Sequence, residues 1–228
     1  MSDIQLFEDH AGFSVSHDDT GAGARLYRTW TKRFCDLVIS AVLLPVIAPV
    51  VAVLWALVRL DGGPAIYAQR RVGRNGTSFV CYKLRTMVVD ADRVLAELIA
   101  SDPAAKEEWD RYQKLADDPR ITPVGRFLRR TSLDELPQIL NVLKGDMSLV
   151  GPRPFTECQT EIYLSCGGRS YFDMRPGITG EWQVNGRHCT RFSTRVQFDE
   201  AYGKTISFLN DIRLLIGTVG CVLRMTGR

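Results

Sequence analysis

Two adjacent carboxylates, Asp134 and Glu135, sit in the run Ser132-Leu133-Asp134-Glu135-Leu136-Pro137-Gln138, at the start of leucine and isoleucine positions spaced for a helix. Carboxylates at a helix start meet the positive end of the backbone dipole, which favours their ionised forms. An ionised aspartate there can attack phosphorus, and its neighbour can hold a divalent metal. The same residues also fit a purely local role. Ser132-x-x-Glu135 is a capping box, in which the two side chains satisfy orphan amides of the first turn. Pro137 weighs against Ser132 as the cap, because its ring would then clash with the carbonyl of Leu133. With Asp134 as the cap, the proline falls where its missing amide is no loss. Spacing alone leaves capping and catalysis both open.

The basic residues shift the balance towards chemistry. Lys83 and Arg85 lie two apart in a predicted strand, so both point from one face. Arg153 stands between two prolines, Arg175 precedes Pro-Gly, and Arg187 follows Asn-Gly. Rigid loops bearing arginine suit bidentate phosphate recognition, and glycines let a backbone approach a ligand closely. Any one of these cations alone reads as a solvated surface group; five held by proline, glycine or strand geometry read as a phosphate pocket. His188 stands alone beyond residue 24 and is assigned no role. A Walker loop, a Ser/His/Asp set and a dinucleotide-binding glycine fingerprint are absent from the sequence. Zinc-finger spacing and RNA-binding aromatic motifs are absent too, so nucleic acid is not the expected partner.

Such a site needs a scaffold, and the sequence points to a membrane. Residues 37–58 hold no charged side chain, and Pro45 and Pro49 interrupt their middle. A straight helix of that length spans about 33 Å, roughly one hydrocarbon core. Each interior proline removes one backbone hydrogen bond and crowds the carbonyl four residues earlier, which predicts a kink. Arg25, Arg28, Lys32 and Arg33 precede the stretch, and Arg59, Arg70, Arg71 and Arg74 follow it. Basic flanks favour the cytoplasmic side, and here both qualify. A bent helix that enters one leaflet and returns satisfies both observations; a through-span is the alternative.

The remaining elements form an α+β domain, mostly α. An acidic leader, residues 1–24, carries Asp3, Glu8, Asp9, Asp18 and Asp19 with no Lys or Arg, reads as a disordered tail and does not resemble a signal peptide. It leaves the rest of the chain more basic than the +3 of the whole, which suits an anionic lipid surface or phosphorylated substrates. Residues 25–60 form the membrane helix and 61–228 a cytoplasmic catalytic domain. Six cysteines without a C-x-x-C pair read as reduced thiols. Residues 65–69 and 78–86 read as a hairpin through Arg74-Asn75-Gly76. Residues 90–115 read as helix broken at Pro103, and Thr122-Pro123 opens another. Leu136, Ile139, Leu140 and Leu143 mark a helix with one buried face, ended by Lys144-Gly145. A helix over 206–225 either lies in the membrane interface or packs as core.

The ordered motifs identify a resemblance. Lys32-Arg33-Phe34-Cys35-Asp36, Gly62-Gly63-Pro64, Gln69-Arg70-Arg71-Val72-Gly73, YKLRTM at 82–87, SLDELPQILNVLKGDMSLVGPRP at 132–154 and RPGITGEWQVNGR at 175–187 are similar to those of the bacterial sugar transferases, the monotopic phosphoglycosyl transferases. The resemblance runs from about Arg28 to Thr218 and is closest to short members of the exopolysaccharide type. It implies that Asp134 attacks the sugar-bearing phosphate of a UDP-sugar, releasing UMP. Undecaprenyl phosphate then takes the sugar phosphate from the aspartyl intermediate. It further implies Mg²⁺ held by Glu135 with Asp134, phosphate handling by Lys83, Arg85, Arg153 and Arg175, and a re-entrant helix in the bacterial inner membrane. Here Ala48-Pro49 replaces the family's Ser-Pro break, Pro45 is additional, and Leu84 replaces a phenylalanine. An apolar helix leaves a homodimer open. The rival from another class is a membrane-anchored scaffold for polysaccharide assembly, with Asp134 and Glu135 only capping.

Overall fold

The computed structural model describes residues 27–112, 115–186 and 192–224. The acidic leader, Arg187 and His188 lie outside the described residues. The uncharged stretch forms α1 (Lys32–Arg59), an uninterrupted helix that contains both Pro45 and Pro49, preceded by a π turn at Tyr27–Thr31. The expected division into two half-helices is therefore not seen in the helical assignment. The prolines leave the carbonyls of Ala41 and Pro45 without their usual helical donors.

Strands β1 (Ile66–Val72) and β2 (Ser78–Leu84) pair antiparallel, from Ile66 opposite Leu84 to Val72 opposite Ser78. Asn75 closes their turn at φ 58°, in the left-handed region that asparagine tolerates. Two helices follow, α2 (Ala91–Ser101) and α3 (Pro103–Tyr112), separated at Pro103. Helix α4 (Pro123–Thr131) starts as its sequence signals: Thr122 Oγ1 accepts from the Gly125 amide at 2.9 Å, with proline at the first position. Gly125 lets α4 lie directly on the preceding chain, since a Cβ there would stand 2.0 Å from the Thr86 carbonyl oxygen.

The segment carrying the carboxylates differs from its sequence reading. It is a 3-10 helix over Leu133–Gln138, passing into the short α5 (Ile139–Lys144). Asp134 and Pro137 are buried, followed by Gln138, Ile139, Asn141 and Val142, whereas Leu140 is 46% exposed. The tighter 3-10 turns rotate the face that the leucine spacing marked. Asn141 explains why polar residues are turned inward. Its Oδ1 accepts from the Tyr82 amide at 3.1 Å and its Nδ2 donates to the Val80 carbonyl at 2.6 Å, so one side chain covers the open edge of β2. Gly145, at φ 96°, ends α5 as the Lys144-Gly145 order predicts.

The two loops assigned by composition contain a further pair of strands. β3 (Ser148–Val150) and β4 (Gly177–Thr179) run parallel, with Ser148 opposite Gly177 and Val150 opposite Thr179. Their glycines serve each other rather than a ligand: a Cβ on Gly177 would fall 2.1 Å from the Gly151 amide, and one on Gly180 2.0 Å from its carbonyl. Between them lies α6 (Thr160–Ser165); after β4 come α7 (Glu181–Asn185), α8 (Phe192–Thr205) and α9 (Phe208–Leu223).

Three apolar clusters hold these elements. The largest joins Phe79 and Cys81 of β2 to Val142, Met147, Leu149, Tyr202 and Leu214, with Cys35 and Ile39 of α1 against it. A second packs Leu54 and Val58, at the far end of α1, on Ala65, Leu84 and Leu128. A third stacks Phe155, Tyr163 and Tyr171 beside Val72 and Val196. Both ends of α1 thus dock on the folded domain. Val42, Val46 and Val53 between them stay exposed. Buried Asp211 of α9 fastens the first end, accepting from Tyr27 Oη at 2.7 Å, Lys32 Nζ at 2.5 Å and Tyr202 Oη at 2.7 Å. Helix α9 buries Asp211 and Leu214 on its inner side, while Leu209, Ile216 and Val219 are 79%, 69% and 59% exposed on the other.

Replacing Asn141 by leucine keeps the volume but leaves the Tyr82 amide and Val80 carbonyl unpaired in the interior. We expect a loss of about 2–4 kcal/mol, read as a lowered thermal midpoint in detergent.

Candidate active site

Ser132 ends α4 at φ 57° and makes no side-chain capping bond. Neither capping reading survives this geometry, because Asp134 lies inside the 3-10 turn and Glu135 reaches away from the backbone. Glu135 Oε1 accepts from Lys83 Nζ and from Arg153 Nη2, each at 2.7 Å, and Oε2 faces Arg153 Nη1 at 3.4 Å. Lys83 comes from β2 and Arg153 from the Pro-Arg-Pro loop after β3, so three separate elements converge on one carboxylate. Burial alone would raise the Glu135 carboxyl, but the charges of Arg153 and Lys83 override it and hold it well below the usual range.

Asp134 is treated oppositely. It is only 9% exposed and has no hydrogen-bond partner among the described residues. Burial, reinforced by the neighbouring Glu135 charge, raises its carboxyl to about 6; Lys83, Arg153 and Arg129 oppose that shift. The pair therefore combines a firmly ionised, paired glutamate with an unpaired aspartate that ionises just below neutrality. Divergent environments of this kind separate the roles of two carboxylates.

The donor set also suits a hard cation. Mg²⁺ is commonly held by one or two carboxylates together with substrate phosphates, and no cluster of three or more acidic, His or Cys ligands occurs among the described residues. Both Asp134 oxygens and the loosely engaged Glu135 Oε2 fit that pattern.

The expected cations divide. Lys83 and Arg153 meet at the carboxylates. Arg85, just past the end of β2, does not: its Nε donates to the Pro64 carbonyl at 2.6 Å, its Nη1 to Met87 O at 2.8 Å and Nη2 to Val58 O at 3.3 Å, and it pairs with Asp61. It fastens the end of α1 to the hairpin, is 7% exposed and lies apart from the carboxylates. Arg175 is also elsewhere, donating from Nε to the Gly145 carbonyl at 2.9 Å behind the far end of α5.

Three other arginines support the site. Arg71 Nη1 donates to the Pro154 carbonyl at 3.3 Å, and burial together with the Arg153 charge lowers its pKa. Arg195 of α8 donates to the Arg153 carbonyl, so the loop carrying Arg153 is held from both sides. Arg129, at the end of α4, donates to Thr86 Oγ1 at 2.9 Å and contributes charge to Asp134. Their sequence signals were weak: Arg71 and Arg129 each sit in an arginine pair, and Arg195 has no distinctive neighbour.

Comparison with known proteins identifies the family. The bacterial sugar transferase profile matches residues 27–225. An undecaprenyl-phosphate galactose phosphotransferase of Salmonella typhimurium is 52% identical over 197 residues, 86% of this chain and 41% of that protein. The exopolysaccharide production protein ExoY of Sinorhizobium fredii is 45% identical over 198 residues, 86% of this chain and 87% of that protein. The UDP-glucose:undecaprenyl-phosphate glucose-1-phosphate transferase of Escherichia coli is 38% identical over 197 residues, 82% of this chain and 39% of that protein. The chain spans less than half the length of the first and third of these relatives. Similarity of this extent, running through the carboxylate turn and both strand-bearing loops, places the chain in the bacterial sugar transferase family.

Proposed function

We propose that the protein transfers a sugar 1-phosphate from a UDP-sugar to undecaprenyl phosphate, by way of a phosphoryl-aspartate at Asp134. The observation that carries this reading is the unpaired, buried Asp134 beside a Glu135 neutralised by Lys83 and Arg153. An Asp134 oxygen attacks the phosphorus that bears the sugar; the bond to the UMP oxygen breaks, and UMP leaves with the electron pair. A phosphate oxygen of the lipid then attacks the same phosphorus, forming the diphosphate and returning the bonding electrons to Asp134. Lys83 and Arg153 lie beside the attacked group, where their charge offsets that spread over its oxygens. When bound, Mg²⁺ at Glu135 and Asp134 would supply further charge neutralisation. Relatives named for galactose and for glucose transfer to undecaprenyl phosphate support the reaction class. The scaffold alternative loses its footing, since it needs Asp134 and Glu135 as caps and neither caps a helix.

The reading includes a re-entrant α1 with the catalytic part on the cytoplasmic face. Its support is that both ends of α1 make polar contacts with one body: the Leu149 amide donates to Asp36 Oδ1 at 3.1 Å, and the Val58 carbonyl accepts from Arg85. Two contacts on the same folded domain favour both ends of α1 lying on one side of a bilayer. Basic residues at both ends favour the cytoplasmic side for that domain. The outward apolar stripe of α9 suits the same interface.

Mixed with UDP-sugar alone, the enzyme should release at most about one equivalent of UMP per site, as covalent catalysis with ping-pong kinetics requires. Absence of that burst together with intersecting double-reciprocal plots would indicate direct transfer. Asp134→Asn should abolish the burst without loss of stability. Since the folded carboxyl ionises above its unfolded value, its charge costs stability at neutral pH, and the amide removes that cost.

The acid limb of kcat/KM should fall near pH 6, with activity rising as Asp134 ionises. Glu135→Gln should lower kcat by about 100-fold or more and weaken the Mg²⁺ dependence. Its residual activity should show an acid limb at lower pH, because a neighbouring negative charge has gone.

Topology is open to cysteine labelling in a background lacking the native cysteines. Single cysteines at Ser14 and Thr77 should both be shielded from an impermeant reagent in intact cells and both react after lysis. Labelling of position 14 alone in intact cells would establish a through-span instead.

A further inference from the structure

Away from the carboxylates, a cavity of about 480 Å³ opens between the first turn of α1, the β1–β2 turn and the loop before β4. Five cations line it: Arg28, Lys32, Arg33, Arg74 and Arg175. Their charges are unevenly compensated. Lys32 is paired with Asp211. Arg33 donates only to carbonyls, at Val142 (2.7 Å) and Leu143 (3.2 Å), and Arg175 only through Nε to Gly145. The exposed side chains of Arg28 and Arg74 make no hydrogen bond or ion pair among the described residues. Asp36 and Asp173 are the acidic residues in the lining, and Asp36 already accepts the Leu149 amide. Burial, with the facing charges of Arg33 and Arg74, holds the Arg175 guanidinium below its usual range. Like charges gathered in this way call for an anion.

The cavity's position selects the anion's source. Trp30, 77% exposed, lies on its rim, and lipid-type side chains begin within a turn, with Phe34 67% and Val38 45% exposed. A tryptophan beside cations at the start of an apolar helix marks the headgroup level of a bilayer. The cavity is also separate from the carboxylate site. Arg33 and Arg175 hold the carbonyl end of α5, whereas Glu135 lies near the other end, roughly 15 Å of helical rise away.

We propose that this cavity binds the phosphate of an anionic lipid headgroup, as a second phosphate site that takes no part in the transfer at Asp134. A volume of this size admits a phosphate with its glycerol. A headgroup bound there would neutralise the arginines and set the depth at which the first turn of α1 rests. The inference relies on α1 lying in the membrane and is independent of the chemistry at Asp134.

The test uses full-length protein reconstituted in phosphatidylcholine nanodiscs containing phosphatidic acid, with retained lipids counted by native mass spectrometry. Wild type should retain phosphatidic acid in preference to phosphatidylcholine. Arg28→Gln with Arg74→Gln, two exposed positions whose loss leaves the thermal midpoint unchanged, should lower that preference by about fivefold per arginine. Equal preference in wild type and the double variant overturns the proposal. Asp134→Asn must behave as wild type; loss of the preference there would assign the bound phosphate to the catalytic centre and overturn it as well. A parallel titration with inorganic phosphate in uncharged detergent separates the sources. Phosphate binding that is sensitive to the arginine variant but unaccompanied by any lipid preference overturns the headgroup as occupant.

Discussion

A carboxylate withdrawn from water remains charged only where cations replace its lost hydration, and Glu135 imposes that requirement on the whole domain. Its two partners come from β2 and from the loop after β3, so the hairpin, the 3-10 turn and the Pro-Arg-Pro loop must arrive together. Other contacts serve that convergence. Asn141 fixes β2 against the helix that follows Glu135. Arg71 and Arg195 fix the carbonyls flanking Arg153 and Pro154. Asp134, by contrast, is left without a partner, and its raised pKa follows from this inequality between neighbours.

The anchor is subject to the same logic at a larger scale. α1 touches the domain at both ends and leaves its apolar middle exposed, so helix and active site form one arrangement. Arg85 is the joint at one end, binding Asp61 and the Val58 carbonyl; Asp211 is the joint at the other. On the proposed function, a site fixed in depth relative to the headgroups suits an acceptor whose phosphate stays in that layer.

Much of this was legible in the residues, because local rules govern local elements. Asn75-Gly76 closes a hairpin, Thr122-Pro123 starts a helix, and Lys144-Gly145 ends one, each as its stereochemistry demands. The carboxylate pair and two of its cations were visible too. What local rules leave open is long-range. Lys83 and Arg85 share a strand face by parity, yet the strand ends between them and the second is drawn to Asp61. Arg175, in its proline-glycine setting, packs behind α5 and away from the carboxylates. Gly151, Gly177 and Gly180 signal close approach correctly, while the thing approached is other backbone. Arg71, Arg129 and Arg195 carry no local mark, since their partners are carbonyls and a hydroxyl distant in the chain.

The Asp211 joint carries a consequence for the order of events at the ribosome. Lys32 leaves the ribosome well before its carboxylate partner, which is encoded 179 residues later. At ~5–20 residues per second, synthesis of that interval takes roughly ten to forty seconds. Throughout that time the first turn of α1 stays unfastened. Closure by α9 then fixes a helix already formed. Helix α9 acts as the latch on a helix made long before it.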